Sequence, residues 1–216
     1  MDDLFAEYAP CPRRNQTLAD GVQLLHAFAL DQADELLAAI ERIVQTAPWR
    51  QMETPGGYRM SVAMSNCGAL GWSTDRRGYR YTARDPISNL PWPAMPRAFF
   101  ELARQAAADA GFADFTPDAC LINRYAPGAK LSLHQDKDEA DFSAPIVSVS
   151  LGLPATFLLG GLQRQAPRTR WLLNHGDVLV WGGPARLRYH AVLPLKAGQH
   201  PTAGDCRINL TLRKAA

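Results

Sequence analysis

Seven residues near the carboxy terminus, Arg207 to Arg213, alternate without a fault. Ile208, Leu210 and Leu212 take one face, and Arg207, Asn209, Thr211 and Arg213 the other. A period of two is the signature of a strand, and a strand with one apolar face must lie on a core. A half-exposed antiparallel strand would carry the same pattern. Two arginines framing an asparagine are nevertheless an unusual choice for a solvent face. The guanidinium is a planar fork that binds carboxylates bidentately, so this polar face is suited to an anion.

A second strand precedes it. In Leu121 to Tyr125 the alternation puts Asn123 and Tyr125 on one face and Ile122 and Arg124 on the other, and Pro127-Gly128 then breaks the run. The chain resumes into His134-Gln135-Asp136. Two residues apart in extended chain, His134 and Asp136 point the same way and can close on one metal ion. Taken alone, an H-x-D is more often a packed histidine beside a turn aspartate. His190, in the short apolar run Arg188 to Leu193, changes the balance. Two imidazoles and one carboxylate on one face of an octahedral metal leave positions open for a co-substrate and dioxygen, and iron(II) is the metal this ligand set favours. Closed structural zinc would ask for four protein ligands, usually with cysteine.

From Asp118 onward the chain reads as short strands between Gly/Pro turns: 146–153, 156–159, 171–173, 178–181, 187–193 and 208–212. That pattern predicts a sandwich or barrel. Two helices flank it. One is expected from an Asp31 N-cap to about Ala47, burying Leu36, Ile40 and Ile43 and stopped by Pro48. The other is expected over 93–111, with Pro96 in its first turn and Gly111 as its stop. The first 20 or so residues read as an extended arm, and Val22 to Phe28 as a strand.

Residues 51–92 are turn-rich, with turns expected at Pro55-Gly56-Gly57 and Asn66-Cys67-Gly68 and a strand through Met60, Val62 and Met64. Trp72 and the run Arg76-Arg77-Gly78-Tyr79-Arg80-Tyr81 interleave cations with rings. Charge for phosphate and rings for bases is how a nucleic-acid surface is built, although a solvated hairpin would look similar. The net charge of +2 excludes a global electrostatic field, so any such surface is a local patch. Four scattered cysteines with no C-x-x-C pair fit a reducing compartment. The amino terminus is acidic where a secretion signal would be basic, and no apolar run reaches membrane-span length. The expectation is a soluble cytoplasmic protein, monomeric, with 216 residues in one integrated domain.

With these residues in place the sequence resembles the AlkB family of iron(II)- and 2-oxoglutarate-dependent dioxygenases. The resemblance runs through 54–58, 61–64, 70–72, 118–139, 144–154, 175–183 and 207–213. It implies a mainly β protein with flanking helices (α+β): a double-stranded β-helix, or jelly-roll, core over 93–216. Residues 1–92 would supply the arm, a scaffold helix and a nucleotide-recognition lid. It implies His134, Asp136 and His190 as iron ligands. 2-Oxoglutarate would lie against Arg207, Asn123 and Tyr125 at one end and Asn209 and Arg213 at the other.

The implied reaction uses dioxygen to remove alkyl groups from 1-methyladenine or 3-methylcytosine in single- or double-stranded DNA, with RNA a further candidate. Trp72 would stack on the extruded base opposite His134, and Thr54, Met64, Tyr79 and Arg164 would line the nucleotide site. Asp138, helped by Glu139, would offset the positive charge of the lesion, although both could equally be solvated loop carboxylates. His175 has no ligand role in the family, His200 is expected to be exposed, and His26 to be a surface or packed residue. Two other readings compete: a 2-oxoglutarate hydroxylase acting on a protein or small molecule, and a non-catalytic β-sandwich that binds nucleic acid.

Overall fold

The structure is a computed structural model that describes residues 15–216. Its strands and helices follow in chain order. A hairpin of β1 (Gln16–Ala19) and β2 (Val22–Leu25) leads to α1 (Ala33–Thr46), β3 (Ala63–Gly68), and a second hairpin of β4 (Gly71–Asp75) and β5 (Gly78–Thr82). After α2 (Arg97–Asp109) come β6 (Ala119–Tyr125), β7 (Leu131–His134), β8 (Ile146–Gly152), β9 (Ala155–Leu159) and β10 (Thr169–Leu173). The chain closes with β11 (Val178–Trp181), β12 (His190–Val192) and β13 (Arg207–Arg213).

Two antiparallel sheets result. The larger has the order β1-β2-β11-β8-β13-β6-β3 and the smaller β10-β9-β12-β7, with β4-β5 standing apart as a hairpin. This is a jelly-roll. Strand β13 runs through the larger sheet between β8 and β6, in register from Arg207↔Tyr125 to Arg213↔Ala119. All seven of its residues are buried, so the half-exposed strand is excluded. Its apolar side, Ile208, Leu210 and Leu212, joins Ile122, Val147, Val149 and Leu151 under Leu36, Ile40 and Ile43 of α1 and Phe99, Leu102 and Ala106 of α2. The helices therefore cover the outer face of the larger sheet. Its polar side is forced to the inner face, between the sheets, where Tyr125, Phe157, Leu159 and Trp181 form a second cluster.

Several local expectations are corrected. Asp31 lies in a short 3-10 turn, Leu30–Gln32, and α1 starts at Ala33 with Gln32 at its N-cap and no side-chain cap. Residues 16–19 form β1; residues 1–14 of the expected arm lie outside the described residues. Asn66-Cys67-Gly68 ends strand β3 and is not a turn. Asn66 explains this: its side-chain NH2 donates to the Trp72 carbonyl and its Oδ1 accepts from the Trp72 N–H, both at 2.9 Å. The amide thus stands in for a neighbouring strand, and the chain can reverse one step later. The strand expected over 187–193 shrinks to His190–Val192, because Arg188 N–H turns back onto the Ala185 carbonyl. His200 is half-buried against His175, ring centroids 4.3 Å apart, and His26 packs beside Asp177.

The β4–β5 hairpin overhangs one end of the sandwich. Trp92 holds it from behind, donating Nε1–H to the Thr82 carbonyl at 2.9 Å and lying flat against Gly71. Asp85 anchors the following loop by a bidentate pair with Arg50. A Cβ at Gly71 would stand 2.3 Å from the Trp92 ring. Gly71→Ala is expected to cost about 1–3 kcal/mol of stability through this overpacking, read from urea unfolding midpoints.

Candidate active site

His134 closes β7, His190 opens β12, and the two are direct cross-strand partners in the smaller sheet. Asp136 follows His134 as the chain leaves the sheet. His134 Nε2 stands 3.6 Å from Asp136 Oδ1, His190 Nε2 stands 3.8 Å from Asp136 Oδ2, and the three ligand atoms lie within 4.8 Å of one another. Each imidazole is already oriented: Nδ1–H donates to the Ser132 carbonyl at 2.7 Å in His134 and to the Arg188 carbonyl at 3.0 Å in His190. That fixes the tautomer that leaves both Nε2 lone pairs free for a metal. The ring of Phe157 stacks on His190 and that of Trp181 meets it edge-on, at 5.7 and 5.1 Å between centroids.

The electrostatics suit the same use. Burial and the neighbouring His134 pull His190 down to about 4, against Asp136, so its imidazole is neutral and ready to ligate. Burial would raise Asp136, but Arg213, His190 and His134 outweigh it and hold the carboxyl below its ordinary range. Arg213 is the largest of these, donating Nη2–H to Asp136 Oδ2 at 2.7 Å.

Across the cavity the inner face of β13 continues. Arg207 is 1% exposed. Its Nη2–H donates to Ser150 Oγ at 3.0 Å and its Cζ lies 5.0 Å from the Tyr125 ring centroid. By hydrogen-bond geometry its Nε and Nη1, the Tyr125 hydroxyl and Asn123 Oδ1 have no partner. Burial pushes the Tyr125 phenol up to about 12, so it stays protonated and able to donate. A buried guanidinium with donors to spare, beside a protonated phenol, is suited to hold a carboxylate, since buried donors without acceptors are otherwise costly. Asn209 donates to Ser148 Oγ and accepts from Thr211, which fixes the floor between Arg207 and Arg213.

Every candidate from the sequence lines one cavity of about 640 Å³: His134, Asp136 and His190, then Asn123, Tyr125, Arg207, Asn209 and Arg213, then Thr54, Met64, Trp72, Tyr79, Asp138 and Arg164. Trp72 and Tyr79, on the hairpin, stack at 5.7 Å and 17°. Trp72 Nε1–H donates to Asp138 Oδ2 at 2.8 Å, so Asp138 is a rim carboxylate bound to the hairpin. Arg164 donates to the Leu133 carbonyl at 3.0 Å and its guanidinium covers the Tyr189 ring. Thr54 closes the 54–58 turn, accepting from Tyr58 N–H.

Glu139 is not a solvated loop carboxylate: it is 5% exposed and bonded to Arg186 and Tyr81. The pairing of Glu139 with Arg186 and Tyr81 was not readable from the sequence, because those partners lie 47 and 58 residues away. An arginine four residues before a candidate ligand histidine was the one hint available.

The comparisons agree with this geometry. The sequence matches the 2OG-Fe(II) oxygenase superfamily over residues 21–213. It is 61% identical to alpha-ketoglutarate-dependent dioxygenase AlkB of Salmonella typhimurium, over 100% of this chain and 99% of that protein. Against the protein of the same name from Escherichia coli it is 60% identical, over 100% and 98%. The solved structure of OsALKBH1 superposes with a TM-score of 0.82 at 28% identity, covering 93% of this chain and all of that one. The fold and site define a 2OG-Fe(II) oxygenase, and within that superfamily this chain belongs to the AlkB family.

The metal-free protein should lose stability as pH falls from 6.5 toward 4. Unfolded His190 takes up a proton near 6.5 and folded His190 only near 4, so in that window the unfolded state binds more protons. Unfolding free energies measured across pH 4–7 should show this slope, and His190→Gln should flatten it.

Proposed function

We propose that this chain is an iron(II)- and 2-oxoglutarate-dependent dioxygenase that removes alkyl groups from nucleobase nitrogens in DNA, with RNA as a second substrate. One observation carries the reading: a cavity that holds two imidazoles and a carboxylate also holds a buried guanidinium with idle donors. His134, Asp136 and His190 hold the iron. The Arg207 fork takes the distal carboxylate of 2-oxoglutarate with the Tyr125 hydroxyl, helped by Asn123, while Asn209 and Arg213 bound the metal-proximal end. Bound there, iron(II) lets dioxygen oxidise the keto acid to succinate and carbon dioxide and place one oxygen atom on the N-alkyl carbon. The N-hydroxyalkyl base then sheds an aldehyde, formaldehyde from methyl, so one succinate accompanies each restored base.

What the chain itself supplies is placement. A base must leave its stack to reach the metal, at a cost of a few kcal/mol. Trp72, with Tyr79 on one face, keeps its other face for that base, and His134 closes the far side. Each ring contact returns about 1–3 kcal/mol, which offsets most of the cost. Thr54, Met64 and Arg164 bound the nucleotide, and the Asp138 carboxylate faces the positive charge of 1-methyladenine or 3-methylcytosine. The β4–β5 hairpin serves as the lid, while the strands β1, β2 and β3 and helix α1 before residue 93 join the later strands in the oxygenase core, the whole working as one cytoplasmic monomer. Among the described residues no helix is long and apolar enough to cross a membrane.

Anaerobic loading with iron(II) and 2-oxoglutarate, then air and an oligonucleotide bearing one 1-methyladenine, tests this. Loss of the methyl group with matched succinate, both abolished in His190→Ala, is expected; succinate without methyl loss would remove nucleobases as the substrate. Neither product, with iron bound, would leave only a metal-binding β-sandwich. Arg207→Ala should raise the half-saturating concentration of 2-oxoglutarate at least about thirtyfold, since losing one partner of a buried charge pair costs about 2–5 kcal/mol.

A further inference from the structure

The hairpin that overhangs the cavity reaches the metal cluster by a route other than Trp72. Strand β5 carries Tyr81, whose hydroxyl donates to Glu139 Oε1 at 2.8 Å and accepts from Arg213 Nη1 at 3.1 Å. Arg213 is the residue whose Nη2 clamps Asp136 Oδ2, and its Nε stands 3.3 Å from Glu139 Oε1. On the far side Arg186, 3% exposed, donates to Glu139 Oε2 at 3.0 Å, to the Asp136 backbone carbonyl at 2.7 Å and to the Ala144 carbonyl at 3.1 Å. Asp136 is therefore gripped twice, at its carboxylate by Arg213 and at its carbonyl by Arg186. Both grips meet at Glu139. Only one member of this ring, Tyr81, belongs to the hairpin.

We propose that Tyr81 is a positioning residue that ties the seating of the β4–β5 hairpin to the carboxylate ligand Asp136, so that the metal is correctly held only when the hairpin is seated. The inference rests on the reaction proposed above and names a residue that acts on it through others. A seated hairpin delivers the Tyr81 hydroxyl to the one point shared by Glu139 and Arg213. A lifted hairpin takes it away, leaving Arg213 one acceptor fewer and free to turn from Asp136. Since outer partners of ligating carboxylates govern metal affinity, lid position becomes legible at the iron.

Tyr81→Phe keeps the ring and removes the hydroxyl. The expected result is about tenfold weaker binding of cobalt(II) in the absence of substrate. With iron, 2-oxoglutarate and a 1-methyladenine oligonucleotide, the ratio of succinate to restored base should rise from one in the unchanged protein to two or more. A ratio that stays at one, whatever happens to the melting temperature, would overturn the proposal, because a merely structural tyrosine lowers stability without uncoupling the products. If Tyr81→Phe does not fold, Glu139→Gln is read in the same way: it withdraws the shared carboxylate while leaving a side chain of the same size. Failure of the underlying reaction is visible separately, as an unchanged protein that makes no succinate or makes it without restoring the base.

Discussion

A carboxylate that is 8% exposed stays ionised only among cations, and the arrangement around Asp136 follows from that need. Arg213 supplies the compensating charge at 2.7 Å. Arg213 can do so only because β13 runs through the interior of the larger sheet, where its polar face has nowhere to go but inward. Glu139 then balances the second guanidinium, Arg186, at 3.0 Å. Two acids and two arginines close on one another with no charge left over. Arg207, six residues from Arg213 on the same face, has no such partner: among the described residues no carboxylate pairs with it. The fold thus leaves one buried cation uncompensated. In the proposed reaction a dianionic co-substrate spanning from the metal to Arg207 would supply the missing charge, with the Tyr125 ring beside the guanidinium.

The two sheets divide the work. The smaller brings the imidazoles together as cross-strand neighbours, a pairing that places side chains on one face about 5 Å apart. The larger contributes the guanidiniums and amides. The two imidazoles therefore sit on one wall and the guanidiniums and amides on the other, and the β4–β5 hairpin hangs over the open end. No single segment of the chain contains the site, but the antiparallel registers set His134 against His190 and Arg207 against Tyr125.

Much of this was legible because strand periodicity is local. Arg207 to Arg213 and Leu121 to Tyr125 announce their two faces by composition alone, and H-x-D announces a shared direction. The differences occur where a contact outside the strand pattern decides the local structure. Asn66 looks like a turn residue and instead serves as a surrogate strand for Trp72. The sequence left Glu139 open between a pocket residue and a solvated one, because its partners, Tyr81 and Arg186, are 58 and 47 residues away. Periodicity carries no information about which buried charge meets which. The uncoupled N-cap at Asp31 has the same origin: Asp31 belongs to a 3-10 turn set by the Ala29 N–H bond to the Gly176 carbonyl, a contact across the fold.

Asp138 is exposed and, among the described residues, is engaged by no cation; its one hydrogen bond is to the neutral indole of Trp72. An exposed carboxylate in water attracts a cation weakly, because the solvent screens it. A base seated on Trp72 would exclude that solvent from one side of Asp138, and the attraction would grow as the local dielectric fell. A neutral base gains nothing from this and still pays the full cost of leaving its stack. A cationic N-alkylated base gains, and its impaired pairing makes it cheaper to extrude. Discrimination in the proposed reaction would then come from the same hydrogen bond that holds the lid ring, since the stacking face and the counter-charge are fixed to each other before any base arrives.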